Sequence, residues 1–512
     1  MLIKVASALH MGLETMKVDV EVNTANRGLP GFDIVGLPSK AVDESKERVK
    51  TAITNSHINF PMQKIIINLA PADIPKEGSF YDLPIAIGVL SAALDFAVPE
   101  KALFFGELSL DGSLRHTRGV LLLALFAKEY GYEQIFVPKD SANEAALIPE
   151  ITVYPVAHLA DVVEHLAGRI ALQPITVSDA LPIGEIQKAE FDMAEILGQE
   201  QAKRAMEIAA AGGHNILMVG SPGSGKTMLA RALPGILPYL NNTESLEVTK
   251  VYSASGNIPA GGSLISVRPF RSPHHSTSLV GLIGGGSKPQ PGEISLAHRG
   301  VLFLDEFNEF PRSVLEALRQ PLEDGQVIIT RALRRALYPA QFMLVASANP
   351  CPCGYLNHPK KSCMCSMREV QNYKKRASGP ILDRIDLHVE VPAVEIDDLT
   401  EHRETHYKGE SSLEIQKRIQ KARDTQEERF THEPIEVNAE MKNEHLKKYA
   451  QLSLEVEQLL RIGANKFQMS ARSYFKMKKI ARTIADLDEK QDIAIEHMAE
   501  ALQYRSKMNN EE

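Results

Sequence analysis

The spacing of apolar and polar positions changes along the chain and marks off successive blocks. Residues 1 to about 168 mix short apolar runs of strand length, Lys64-Ile-Ile-Ile-Asn-Leu and Gln134-Ile-Phe-Val-Pro, with an apolar helical stretch over Leu83 to Leu94, a pattern that predicts an α+β domain. From about Ile170 to Lys188 no periodicity is sustained and Pro174 and Pro182 interrupt the chain, as in a linker. Between Phe191 and about Ala393 apolar runs alternate with helical patterns, which predicts a parallel α/β sheet. After that the chain turns helical. Ile415, Ile419 and Ala422 share one face of a charged helix, and helical patterns recur over Val456–Ile462, Ser473–Leu487 and Ile493–Tyr504. The expected domains are therefore 1–168, a linker 169–190, an α/β core 191–394 and a helical segment 395–512.

With 512 residues, 44% hydrophobic and 24% charged, the chain fits about three globular domains. Its most apolar run, Val120 to Ala127, is far short of the roughly 18 residues that a membrane span needs. The first residues lack a basic stretch followed by a long apolar core, so the expectation is a cytoplasmic protein with no membrane partner. The net charge of -8 argues by itself against a nucleic-acid binder, but its distribution changes the picture. The window Val327–Arg376 holds nine basic residues (among them Arg331, Arg334, Arg335, Lys360 and Lys361) against Glu369 alone, so it carries +8 and the remaining chain -16. A basic segment in an acidic protein reads as a polyanion-binding surface, with a solvated charged face as the bland alternative.

Candidate chemistry is concentrated in the α/β core. The buried-strand pattern Ile216-Leu-Met-Val leads into Gly220-Ser221-Pro222-Gly223-Ser224-Gly225-Lys226-Thr227 and then a helix beginning Met228-Leu-Ala-Arg. This is a P-loop in its strand–loop–helix context. Glycines let backbone N–H groups turn toward phosphates, Lys226 is placed to reach the β and γ phosphates of ATP, and Thr227 to put its hydroxyl on Mg²⁺. A second apolar strand, Gly300-Val-Leu-Phe-Leu, ends in Asp305 and Glu306, suited to holding Mg²⁺ and to polarising the attacking water. A third, Phe342-Met-Leu-Val-Ala-Ser-Ala, ends at Asn349, which either orients that water or is a turn residue before Pro350.

Ile196-Leu-Gly-Gln199, Asn349, Gly379-Pro-Ile-Leu-Asp-Arg384-Ile-Asp and Ser470-Ala-Arg472 follow in the order of the AAA+ motif set. That resemblance implies a P-loop core with a C-terminal helical lid. It makes Asn349 sensor 1, Arg472 sensor 2, and Arg384 the finger that reaches a neighbour's ATP; a surface salt bridge is the other reading of Arg384. Further stretches narrow the likeness: Arg268-Pro-Phe-Arg-Ser-Pro-His-His, Gly284-Gly-Gly, Pro291-Gly-Glu-Ile-Ser-Leu-Ala-His-Arg-Gly, Asn349-Pro-Cys-Pro-Cys-Gly and Ala481-Arg-Thr-Ile-Ala-Asp. Over nearly its whole length the chain resembles the bacterial Mg-chelatase-like ComM/YifB family. The resemblance implies a homo-hexameric DNA helicase that promotes branch migration when transforming DNA is integrated. Its partners would be single-stranded and branched DNA together with recombination proteins. The other functions weighed are a metal-insertion motor of the chelatase type and a protein-remodelling ATPase.

Gln326-Val-Ile-Ile-Thr-Arg331-Ala-Leu-Arg334-Arg335-Ala-Leu-Tyr-Pro reads as a hairpin with arginines near its tip. It suits a phosphate grip that ignores base sequence, or else an ordinary edge hairpin whose charges discourage pairing. In related ring motors such a hairpin points into the central pore, and Phe270 to Gly286 is a second candidate pore element. Cys351-Pro-Cys353 and Cys363-Met-Cys365 form a compact knuckle (351–365) suited to structural Zn²⁺, with His358 as an alternative ligand and an iron–sulfur cluster or free thiols as alternatives. The N-terminal block resembles non-peptidase relatives of the Lon protease domain. Phe80 stands at the nucleophile position, Ser79 is one residue off, and Leu123 stands at the lysine position, so no acyl-enzyme chemistry is expected.

Overall fold

The computed structural model describes residues 2–25, 29–175, 189–258, 263–286, 289–331, 334–393 and 409–505. Most of the expected linker (176–188) and the start of the expected helical segment (395–408) lie outside the described residues. The chain forms two compact units. The first holds residues 1–183 together with two excursions of the later chain, 245–265 and 330–337; the second holds the remainder.

In the first unit, β1 (Leu2–Met11) and β2 (Glu14–Ala25) pair antiparallel in unbroken register from Leu2 opposite Asn23 to Met11 opposite Glu14. The two-residue turn between them begins with Gly12 at φ +63°, the positive φ that a tight hairpin demands. With β3 (Gly31–Val35), β4 (Lys64–Ala70), β5 (Ala102–Phe104), β8 (Gln134–Pro138) and β9 (Thr152–Val156) they make a mixed seven-stranded sheet, order β3-β4-β2-β1-β5-β8-β9. A small hairpin, β6 (Glu107–Leu108) and β7 (Leu114–Arg115), lies apart from it. The helix Asp82–Leu94 is buried continuously from Asp82 to Ser91. A helix apolar all round belongs inside a core, and this one packs against β1 and β2. Its first residue brings a carboxylate into that core. Arg48 answers it, Nε donating to Asp82 Oδ2 at 2.8 Å and Nη2 to Oδ1 at 3.1 Å, and the Leu108 N–H adds a third bond. Burial pushes the Asp82 pKa up, and Arg48 opposes that shift. In the excursion 245–265, Ser253 Oγ donates to the buried Glu144 carboxylate, which also accepts from the Leu121 N–H.

The second unit is built on five parallel strands in the order β11-β14-β17-β10-β18: β10 (Ile216–Gly220), β11 (Phe270–Arg271), β14 (Val301–Leu304), β17 (Met343–Ala348) and β18 (Leu387–Val391). Every residue of β14 and β17 is buried, which is why both read as near-continuous apolar runs, interrupted in β17 by Ser347, rather than alternating ones. Two hairpins leave this frame: β12 (Gly284–Gly285) with β13 (Gln290–Pro291), and β15 (Gln326–Arg331) with β16 (Arg334–Pro339). The helices Ser412–Phe430, Leu454–Lys466, Ala471–Leu487 and Ile495–Gln503 share one hydrophobic core with the sheet. Contact is direct: Arg423 and Gln426 donate to the carbonyls of Ala210 and Ala211 on the helix Glu200–Gly212. Capping pairs in the sequence set helix starts, as at Ser411 with Glu414. The last helix begins two residues later than its pattern predicts, because Ile493 bridges to Leu452.

Arg48→Ala leaves a buried carboxylate without its counter-charge, and such a loss costs about 3–5 kcal/mol. The expected outcome is a denaturant-unfolding transition of the first unit at markedly lower urea, measured on the full chain by circular dichroism.

Candidate functional site

Parallel pairing brings the ends of β10, β14 and β17 to one edge of the sheet, and the candidate residues meet there. After β10 the P-loop turns on Gly223 (φ +80°) and Gly225 (φ +91°), where no neighbouring atom lies within 4 Å of an added Cβ. Glycine is needed at both for backbone conformation rather than space. Lys226 opens the helix Lys226–Ala232, and its Nζ donates to Gly220 O at 2.7 Å, Ser221 O at 2.9 Å and Asn349 Oδ1 at 3.4 Å. Burial lowers the Lys226 pKa, against the pull of Asp305 and Glu306. Thr227 Oγ1 donates to Asp305 Oδ2 at 3.0 Å.

Loop, ammonium, hydroxyl and both acids suit a nucleotide triphosphate with its Mg²⁺. Two buried polar atoms beside the loop, Ser224 Oγ and Gln199 Oε1, have no hydrogen-bond partner among the described residues, and Gln199 Nε2 donates to Ser224 O. Those orphans fit a loop shaped around a polar ligand.

The structure adds residues that the motif reading did not single out. Ser347, inside β17, donates through Oγ to Asp305 Oδ1 and fixes that carboxylate. Its signal was a lone serine within a buried apolar run. His275 faces Glu306, Nδ1 to Oε2 at 3.3 Å. Glu306 itself sits in the left-handed region at φ +53°, a strained backbone for a residue with a side chain.

Arg384 and Arg472 do not join this cluster. Both line a separate cavity of about 720 Å³ whose wall also includes Glu323, Arg299, Glu436 and Lys476, and which includes none of Lys226, Thr227, Asp305 or Glu306. Ser470 caps the helix Ala471–Leu487 and so places Arg472 in its first turn.

The four cysteine sulfurs lie within 4.8 Å of one another. Cys351 Sγ is 3.4 Å from Cys353 Sγ and 3.7 Å from Cys363 Sγ, and Cys353 is 3.6 Å from Cys363. A tetrahedron with Zn–S bonds near 2.3 Å has S···S edges of roughly 3.8 Å, so the donor set fits one zinc ion. An iron–sulfur cube, which spreads its thiolates over four irons, fits these short separations less well. Backbone N–H groups of Tyr355 and Met364 hold the Cys353 thiol below its usual pKa, whereas the neighbouring sulfurs leave Cys363 and Cys365 above theirs, so the thiols share one electrostatic site. His358 is not part of this group of ligand atoms, and its Nδ1 accepts from the Lys360 and Lys361 N–H groups. The knuckle rests on the nucleotide loop: a Cβ on Gly354 would lie 2.5 Å from Pro222.

Arg335 is exposed at the start of β16, Arg334 precedes it, and Arg331 ends β15; residues 332–333 at the tip lie outside the described residues. Tyr338 on β16 donates to Pro289 O at 2.8 Å, tying this hairpin to the β12–β13 segment. In the first unit, Ser79 donates to Glu107, Phe80 stacks on Phe105 at 4.5 Å, and Leu123 is fully buried. Phe80 and Leu123 both pack into the apolar core of this unit.

Elemental analysis of the purified full chain is expected to find close to one zinc per chain, and Cys351→Ser with Cys353→Ser to abolish it. Iron with visible absorbance, or no metal in folded protein, would decide against zinc.

Three family profiles match the chain: "Magnesium chelatase, subunit ChlI" over residues 192–399, "Subunit ChlI of Mg-chelatase" over 20–141, and "Magnesium chelatase, subunit ChlI C-terminal" over 409–505. Competence protein ComM of Haemophilus influenzae is 42% identical over 98% of this chain and 97% of its own length. The uncharacterized protein YifB of Escherichia coli K12 is 41% identical over 97% of this chain and 95% of its own. A magnesium-chelatase 38 kDa subunit of Cereibacter sphaeroides is 29% identical over 32% of this chain and 54% of its own. With a nucleotide-loop core, a helical C-terminal segment and likeness along its full length, the chain belongs to the magnesium-chelatase-like ComM/YifB family of AAA+ ATPases.

Proposed function

We propose that the protein is an ATP-driven DNA translocase, active as a homo-hexameric ring, that promotes branch migration while incoming DNA is recombined into the chromosome. The observation that carries the reading is the division of one hydrolysis apparatus between two places: Lys226, Thr227, Asp305 and Glu306 converge at the sheet edge, while Arg384 and Arg472 line a separate cavity. A second copy that presents those arginines would complete each site, and repetition of such a head-to-tail contact closes a ring.

In this reading the P-loop N–H groups and Lys226 hold the phosphates of ATP. When bound, Mg²⁺, held by Thr227 and Asp305, neutralises charge developing on the phosphate oxygens. Glu306, steadied by His275, takes a proton from water, which Asn349 is assigned to orient, as that oxygen bonds to the γ-phosphorus and the bond to ADP breaks. Arg384 of the neighbouring copy meets the charge on the transferring group, and Arg472 stands on the same wall.

DNA is assigned to the basic hairpin. Arg331, Arg334 and Arg335 lie around its tip, and six copies would ring a pore with guanidinium groups that grip phosphates without reading bases. The likeness to a competence protein over nearly the whole chain supports DNA as the substrate. Metal insertion has the chelatase-named profiles in its favour, but the chelatase subunit aligns with only 32% of this chain. The first unit then acts as a scaffold or collar, and zinc staples the knuckle beside the nucleotide loop.

Two experiments test this reading. Glu306→Gln is expected to bind ATP and turn it over very slowly, since an amide is a poor proton acceptor, whereas Lys226→Ala impairs productive binding itself. Near-normal steady-state turnover by Glu306→Gln would remove the assigned roles. Replacing Arg331, Arg334 and Arg335 with alanine is expected to weaken binding to all DNA sequences alike and to flatten the dependence of affinity on salt. Basal ATPase survives and DNA stimulation falls; an unchanged salt slope would place the grip elsewhere.

A further inference from the structure

We propose that Glu323 is a positioning residue that keeps the Arg384 guanidinium turned to its own chain until the β15–β16 hairpin is engaged, and so sets how strongly DNA stimulates hydrolysis. The inference rests on the proposed reading of Arg384 as a finger and of the hairpin as the DNA contact.

A finger must present its terminal nitrogens to a phosphate. Here both are engaged within the chain: Nη1 donates to Pro380 O at 2.7 Å, and Nη2 donates to the Glu323 carboxylate. Arg384 Nε is buried with no hydrogen-bond partner among the described residues. The arginine side chain is only 10% exposed while Glu323 is 56% exposed, so the carboxylate is the member of the pair free to move. Both residues line the cavity that holds Arg472. Arg384 holds the Glu323 carboxyl below its usual pKa, with a smaller contribution from Arg472. An internal anion thus sits among the arginines that would receive a neighbour's γ-phosphate. The two anions repel, so one must leave before the other is bound.

The place of Glu323 in the chain supplies the release. It belongs to the short turn of helix Pro321–Asp324, which Gly325 ends at φ +64°, with the Gly325 N–H donating to Pro321 O. The Ala340 N–H donates to Gly325 O at 2.8 Å. Gly325 precedes β15 and Ala340 follows β16, so this one bond ties both feet of the hairpin to the turn that carries Glu323. A tilt of the hairpin on DNA rotates that turn and draws the carboxylate off Arg384. An ion pair whose acid is open to solvent is weak enough to be broken this way and strong enough to shift a population severalfold.

The test is steady-state ATPase of the full chain, with and without single-stranded DNA, for wild type, Glu323→Gln, Glu323→Asp and Arg384→Ala. Glu323→Gln keeps the shape and removes the charge. It is expected to raise the basal rate roughly two- to fivefold, the factor an exposed pair allows, to leave the DNA-stimulated rate in place, and so to shrink the stimulation ratio. Glu323→Asp restores the charge and returns basal rate and ratio toward wild type. Nucleotide affinity and thermal unfolding are unchanged in both. An unchanged or lowered basal rate in Glu323→Gln, or a shorter acid that behaves like the amide, overturns the proposal. Arg384→Ala separates the two claims: loss of turnover there upholds the finger whatever Glu323 does, and wild-type turnover removes the finger itself and the latch with it.

Discussion

Parallel pairing of β14, β17 and β10 is the constraint on which the site depends. The register sets Leu304 beside Ala346 and Val219 beside Ala348, so the three strands finish at one edge, and the residues just past their ends must meet. Asp305 comes directly after β14, Asn349 after β17, and the P-loop after β10. Because β17 lies between the other two, Ser347 can hold Asp305 while Asn349 accepts from Lys226. A slip of one residue would turn alternate side chains to the other face and undo every one of these contacts.

The same frame also carries the wall that holds Arg384 and Arg472. Asn215, just before β10, donates to Arg384 O at 3.0 Å and accepts from the Leu344 N–H at 2.8 Å, so the backbone of the loop that carries Arg384 hangs on the sheet. Asp386 then binds His214, Nδ1 to Oδ2 at 3.3 Å, and Lys476 of the helix Ala471–Leu487 donates to Ile385 O. Burial alone would raise the Asp386 carboxyl, but His214 and the Lys476 charge outweigh it and hold it well below the usual range. The helix that carries Arg472 is thereby pinned to the loop that carries Arg384. Backbone positions are rigid here, whereas the Arg384 side chain rests on a partner that solvent reaches.

Two further contacts tie neighbouring parts to the candidate site. Glu306 is held in a left-handed conformation beside His275, and His275 lies on the segment running from β11 toward the β12–β13 hairpin. The cysteine knuckle approaches the nucleotide loop so closely at Gly354 and Pro222 that only glycine fits. Both are places where movement outside the site would be felt within it, since packed protein transmits displacement rather than absorbing it.

Sequence alone determined whatever rests on local spacing. The P-loop turns at Gly223 and Gly225 demand glycine, strand-length apolar runs at Val301–Leu304 and Met343–Ala348 mean burial on both faces, and Cys-x-Cys pairs a short loop apart can close on one centre. These features lie within a few residues of one another, so their patterns survive in one dimension. Tertiary structure alone decided the partners of those residues. Ser347 and His275 became part of the site through pairing between distant strands, and no local pattern names the acids they meet. Residues 245–265 and 330–337 joined the first unit although the alternation of strands and helices assigned them to the core, because periodicity reports which face of an element is buried and not what buries it. The motif around Arg384 suggested a finger, but its hold by Glu323, sixty-one residues earlier, exists only once the chain has folded and brought two distant turns to one cavity wall.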